Sequence, residues 1–111
     1  MDWVEFVRKK RQKTINNGKN IYWMVGILIS EKSKITSNVL SKKLKKKGID
    51  TRNFFMSMRE QPCFKKYFSK KKNLTPNSNF LWKNGIYLPS SHNLNEKKIK
   101  YICNVIKNIF S

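Results

Sequence analysis

Two guanidinium groups and two aromatic rings fall close together in the stretch Gly48-Ile49-Asp50-Thr51-Arg52-Asn53-Phe54-Phe55-Met56-Ser57-Met58-Arg59-Glu60-Gln61-Pro62-Cys63-Phe64. An arginine held among apolar groups, as Arg52 and Arg59 are beside Phe54 and Phe55, needs an anion, a carbonyl or an aromatic face as partner. Read as a strand from Ile49 to Met58, the stretch places Arg52, Phe54, Met56 and Met58 on one face. Thr51, Asn53, Phe55, Ser57 and Arg59 fall on the other. Both faces are mixed, which predicts a strand covered on both sides. In the competing reading Arg52 pairs within the fold and both phenylalanines are core.

Other chemistry is hard to assemble. Cys63 and Cys103 form no C-x-x-C pair and no zinc-ligand spacing with the single His92, so they read as buried or idle thiols in a reducing compartment. His92 lies in Pro89-Ser90-Ser91-His92-Asn93, a loop between a strand and a helix cap, and reads as a loop residue rather than a general base. The six acids are scattered, and no nucleotide-binding glycine loop, metal cluster or Ser-His-Asp set is present.

The net charge of +19 draws the chain toward phosphates or anionic head groups. Lysine supplies nearly all of it, with arginine only at Arg8, Arg11, Arg52 and Arg59, a composition that loads any solvated face whatever the partner. The run Lys42, Lys43, Lys45, Lys46 and Lys47 already follows from an amphipathic helix and needs no nucleic acid to explain it. Met1-Asp2-Trp3-Val4-Glu5 lacks the positive start of a signal peptide, and Ile21 to Ile29 is about half the ~20 residues a membrane helix requires. A cytoplasmic protein with no membrane partner is expected. At 111 residues the chain can fold as one domain without disulfides or metals.

Along the chain, Asp2 and Glu5 form a capping box for a short helix with Trp3, Phe6 and Val7 on one side, and Asn16 to Asn20 is a loop. Ile21-Tyr22-Trp23-Met24-Val25-Gly26-Ile27-Leu28-Ile29 reads as a central strand buried on both faces, with Gly26 marking a bulge or close backbone approach. Thr36 caps the next helix, Ile35 and Leu40 form a staple, Val39, Leu40 and Leu44 point inward, and Gly48 ends it. Pro62 opens a short helix with Phe64, Tyr67 and Phe68 inward and Lys65, Lys66 and Lys70 to Lys72 outward. Asn73 to Asn79 is a polar loop before a short helix at Phe80 to Lys83, and Ile86 to Leu88 is a brief strand stopped by Pro89. Asn95 caps the last helix. Leu94 and Ile99 form its staple, and Ile99, Ile102, Cys103, Ile106, Ile109 and Phe110 form its stripe. The order predicts an α+β fold, a small antiparallel-type sheet covered by helices.

Gly48-Ile49-Asp50-Thr51-Arg52 through Gln61-Pro62-Cys63-Phe64, then Asn84-Gly85-Ile86-Tyr87-Leu88-Pro89-Ser90, then Leu94-Asn95-Glu96 leading into Ile99-Lys100-Tyr101-Ile102, together resemble the C-terminal part of DegT-type nucleotide-sugar aminotransferases. The resemblance extends to perosamine synthase-like members, and Asn20 to Met24 resembles the strand preceding in them. The resemblance runs from about Asn20 to the end. It implies the small domain of a fold type I, pyridoxal phosphate-dependent enzyme that moves an amino group from glutamate to a nucleotide-linked keto-sugar. In that family Thr51 and Arg52 match the T-R of a T-R-P segment on the substrate side. Asn53 stands where proline is usual, Ser57 where a second proline is common and Arg59 where histidine is common.

The resemblance thus implies residues 20–111 as an aminotransferase small domain and residues 1–19 as a helix and loop left from an interdomain helix. The Schiff-base lysine and phosphate cup belong to the family's large domain, so this chain is expected to bind no coenzyme and to be inactive alone. Its expected partner is a large domain, in cis or in trans, with a nucleotide-sugar bound through Arg52, Phe54, Phe55 and Arg59. Two rivals stand beside it: a small basic nucleic-acid-binding protein, with rings interleaved among lysines from Phe64 to Lys72, and an inert scaffold or gene remnant.

Overall fold

In the computed structural model, which describes residues 17–19, 21, 23–68 and 75–111, the apolar strand residues build one three-stranded antiparallel sheet. β1 (Val25–Leu28) and β2 (Arg52–Asn53) flank β3 (Gly85–Leu88). Gly26 and Arg52 both lie opposite Tyr87, and Ile27 and Asn53 opposite Ile86. Among the described residues three α-helices accompany the sheet: α1 (Ser37–Lys46), α2 (Pro76–Asn84) and α3 (Glu96–Phe110). The α+β class expected from the sequence is what forms.

Alternation gives the sheet two faces. On one, Ile27 and Ile86 pack with Leu40 and Leu44 of α1 and with Ile102 and Ile106 of α3 in a wholly aliphatic core. On the other lie Gly26, Leu28, Gly85, Tyr87 and Arg52. Helix α1 has a complete set of end signals. The Thr36 side chain accepts from the Val39 amide at 3.3 Å, and Ile35 packs against the core. At the other end the Ile49 amide donates to the Leu44 carbonyl and that of Gly48 to Lys45, a Schellman closure at a glycine with φ of 74°. Ile49 and Leu44, the apolar pair of that closure, are both buried. Asn95 caps α3 by accepting from the Lys98 amide at 2.9 Å.

Several expectations are corrected. The run from Ile21 is an edge strand of four residues and not a buried central one. Ile21, Trp23 and Val25 are exposed, and the centre goes to β3, which pairs on both sides. Close approach at Gly26 is real: a Cβ there would lie 2.7 Å from Phe54 Cζ. The strand from Ile49 to Met58 shrinks to Arg52–Asn53 because its partner runs out. Phe54 donates its amide to Gly85 at 3.3 Å, and the residue before Gly85 already belongs to α2. The chain then folds into 3-10 turns at Met58–Glu60 and Lys65–Tyr67, and Phe55, Met56 and Met58 are exposed instead of covered.

A three-residue turn offers no helical face to bury, so Tyr67 and Phe68 are exposed where an inward position was expected. Helix α2 begins at Pro76, whose fixed φ suits the first helical position, and absorbs residues 76–79 from the expected loop. Val39 is exposed on the flank of α1. The packed stripe of α3 is Ile102, Val105, Ile106 and Ile109, with Phe110 beside it, whereas Ile99 and Cys103 are exposed. Cys63 is likewise an exposed free thiol, not a buried one. The helix expected near the N-terminus and Lys70 to Lys72 lie outside the described residues. Among the described residues no helix is long and apolar enough to cross a membrane.

Candidate functional site

Thr51-Arg52 and Tyr87-Leu88-Pro89-Ser90 stand far apart in sequence, and antiparallel pairing of β2 with β3 brings them side by side. With Trp23, Asp50 and Ser91 they line an open depression of about 410 Å³ at the end of the sheet. That volume matches a small-ligand site. Its rim is fixed by hydrogen bonds that leave the charge untouched. Ser41 and Thr51 join hydroxyl to hydroxyl at 2.7 Å, tying the start of β2 to α1, and Ser90 Oγ donates to the Trp23 carbonyl at 2.9 Å. Arg52 is exposed, and among the described residues its guanidinium makes no ion pair or hydrogen bond. A guanidinium beside hydroxyls and ring faces can hold a phosphate or carboxylate on one side and a flat or apolar surface on the other.

The other three residues singled out from the sequence do not join Arg52 in that depression. Phe54 lies across the lane left by Gly26 and Gly85 and stacks on Tyr87, ring centroids 4.4 Å apart at 21°. It acts on the depression only by holding Tyr87. Phe55 is tilted 58° to Tyr87 at 6.0 Å and turns its ring to water. Arg59, half-buried in the first 3-10 turn, lies 5.7 Å from the Phe68 ring centroid. The reading in which both phenylalanines are core therefore fails at Phe55 and holds in part at Phe54.

Sequence reasoning missed Trp23, Asp50, Tyr87, Ser90 and Ser91. For Asp50, Tyr87 and Ser90 the signal existed, since all three sit in motifs quoted for the resemblance. Trp23 looked like core because it lies in the run from Ile21 to Ile29, read as a strand buried on both faces. His92 is exposed in a turn, as expected. Among the described residues no group of three or more His, Cys, Asp or Glu side chains is placed to hold a metal ion.

The sequence model of the DegT/DnrJ/EryC1/StrS aminotransferase family matches residues 4–107. The chain is also similar to GDP-perosamine synthase of Vibrio cholerae, 30% identical over 99 residues, which is 89% of this chain and 26% of that protein. It thus spans about a quarter of the length of that relative. Aminotransferases of this family use pyridoxal phosphate. That coenzyme needs a lysine for its Schiff base, a carboxylate for its ring nitrogen and donors for its phosphate. Among the described residues no lysine lines the depression, and the lysines of α1 and α3 are exposed on the helix surfaces. The described residues of the depression do not fit the coenzyme.

Proposed function

Because the chain belongs to the DegT/DnrJ/EryC1/StrS aminotransferase family, we propose that it serves as the C-terminal small domain of a nucleotide-sugar aminotransferase, covering the substrate side of a coenzyme held elsewhere. Residues 20–111 make up this domain, and residues 1–19 derive from an interdomain helix. The reaction it supports moves an amino group from glutamate to a nucleotide-linked keto-sugar in the cytoplasm. A large domain, in cis or in trans, supplies pyridoxal phosphate and the Schiff-base lysine, and the isolated chain is inactive.

One observation supports the reading: two of the three motifs behind the resemblance share a single depression, with Arg52 at its edge making no ion pair among the described residues. In this reading Arg52 binds the diphosphate or a sugar carboxylate, and Tyr87 and Trp23 present ring surfaces to the sugar or base. Titrating the isotope-labelled chain with GDP tests it, at moderate salt to suppress binding by the lysines. Shifts centred on Arg52, Tyr87 and Ser91 that disappear in Arg52→Ala are expected; shifts confined to lysine-bearing helices overturn it. The chain mixed with pyridoxal phosphate and glutamate should show no Schiff-base absorbance and no amino transfer. Turnover by the chain alone would refute the division of labour.

A second reading has its own observation. The Tyr67 ring is 71% exposed with Lys66 Nζ 4.9 Å from its centroid, the pairing of ring and cation on which single-stranded bases stack. Binding of an oligothymidylate that weakens in Tyr67→Ala, with stability unchanged, would favour it.

A further inference from the structure

Nine of the fifteen lysines among the described residues fall on two helices that share one side of the sheet. Lys42, Lys43, Lys45, Lys46 and Lys47 lie on α1 and its cap. Lys97, Lys98, Lys100 and Lys107 lie on α3, and all nine are exposed. Because both helices turn their aliphatic stripes to the same core, their outer flanks form one surface. These helices hold a single acid, Glu96, and no arginine.

At one end of this layer is a cleft of about 450 Å³ that the function proposed above does not use. The turn from Ser30 to Ile35 forms one wall, and Ile109, Phe110 and Ser111 at the end of α3 form the other. Lys32 and Lys34 line it, exposed and in no ion pair among the described residues. Ser30 and Ser33 shape the turn by accepting the amides of Lys32 and Ile35 at 3.3 and 3.1 Å, which leaves both hydroxyl hydrogens free to donate. Ile35, Ile109 and Phe110 are half-buried where the core reaches the surface. Cations and donors thus stand beside apolar side chains, and no carboxylate side chain joins them.

An anion with an apolar body fits such a cleft, and a field of lysines around it fits a sheet of such anions. Lipid phosphates ask only for charge, whereas nucleic acid is gripped by arginine forks and stacked on ring faces. The two helices offer one exposed ring, Tyr101, whose hydroxyl already donates to the Lys47 carbonyl. Val39 and Ile99 add exposed aliphatic area on the same helices, as a surface that meets acyl chains requires.

We infer that the outer surface of α1 and α3 docks on a membrane rich in anionic phospholipid, with the cleft taking one lipid, its phosphate at Lys32 and Lys34 and its first acyl carbons against Ile109 and Phe110. Contact of this kind needs no spanning helix. The expectation of no membrane partner rested on the lack of a leader and of a spanning segment, and neither bears on it. The surface lies across the sheet from Arg52 and does not depend on the function proposed above.

The test is co-sedimentation of the full chain with vesicles of phosphatidylglycerol and phosphatidylcholine in equal parts, at moderate salt, using three double variants of equal charge. Lys46→Gln, Lys107→Gln removes two helix lysines, and Lys32→Gln, Lys34→Gln removes the two of the cleft. Lys65→Gln, Lys66→Gln removes two from a 3-10 turn outside both. Each lysine near an anionic surface is worth about fivefold in affinity, so the first two variants should lose roughly tenfold or more and the third about twofold at most. Equal losses in all three would show attraction by net charge alone. A cleft variant with lower Tm and unchanged binding would show that Lys32 and Lys34 serve only the end of α3, where a cation is favourable in any case. Either result overturns the inference, as does a wild type left in the supernatant, whether or not it binds a DNA duplex.

A second arm separates lipid from free phosphate. Dihexanoyl phosphatidylglycerol, titrated into the isotope-labelled chain below its micelle concentration, should shift Ser33, Ile35, Ile109 and Phe110. No shift there, or the same shifts from inorganic phosphate at equal concentration, overturns the assignment of the cleft to a lipid.

Discussion

The two faces of the sheet are built by different means. On the helix side, aliphatic residues from β1, β3, α1 and α3 interlock, and Leu40, Leu44 and Ile86 are fully buried. On the other side two glycines make a lane, one phenylalanine fills it, and the chain beyond runs through 3-10 turns whose main-chain bonds span only three or four residues. Stability is concentrated on the first face, and the unpaired arginine, the exposed rings and the depression belong to the second. A small domain can keep a functional face open only if the opposite face holds the fold alone.

The most severe way to break this contrast is Leu40→Ala. Deleting a fully buried leucine costs about 3–5 kcal/mol, a large part of what a domain of this size has to lose, so urea denaturation should show a chain close to unfolding at 25 °C. A milder result would mean that the aliphatic core is not the main support.

Next comes the lane itself. A Cβ on Gly85 would meet the Phe54 ring and, at 2.7 Å, the Leu81 carbonyl oxygen, which is backbone and cannot swing away, so Gly85→Ala should cost about 2–3 kcal/mol. A Cβ on Gly26 meets only the Phe54 ring closer than 3.1 Å, and Gly26→Ala should cost about 1 kcal/mol, most of it removed when Phe54 is also alanine. Equal costs at the two glycines, or no coupling to Phe54, would show that the ring does not fill the lane. At Gly48 the space is open and only the φ of 74° opposes a side chain, so Gly48→Ala should cost about 1 kcal/mol with no packing partner able to rescue it.

What the sequence showed of all this follows from range. Thr36, Gly48 and Asn95 act on neighbours within five residues, and each cap forms as read. The length of β2 was illegible because it depends on where β3 begins, some thirty residues on. Alternation continues past Asn53, but Gly85 has already paired with Phe54 and nothing remains to extend the ladder. The same holds for the site. Arg52 stood out by its chemistry, whereas Tyr87 and Ser90 became its neighbours through pairing register alone, and Phe55 and Arg59 lost their place when the strand ended. Tyr67 and Phe68 look like core at helical spacing and point to water because only one short turn forms.

Tyr101→Phe is a small test of how the two helices hold the first face. The Tyr101 hydroxyl donates to the Lys47 carbonyl at 2.9 Å, joining α3 to the C-terminal end of α1, and its loss should cost about 0.5–1 kcal/mol at this exposed position.

The smallest effect is expected at Tyr67, on the second face's outlying turn. Its ring buries little, and the exposed Lys66 pairing contributes at most ~0.5–1 kcal/mol, so Tyr67→Ala should move the urea midpoint hardly at all. The same substitution separates two uses of an exposed ring. Stacking on a base is worth about 1–3 kcal/mol, so affinity for an oligothymidylate should fall roughly 5- to 150-fold if Tyr67 serves nucleic acid. If binding is only attraction of phosphates to lysine, affinity stays put in Tyr67→Ala and falls steeply with salt in both proteins.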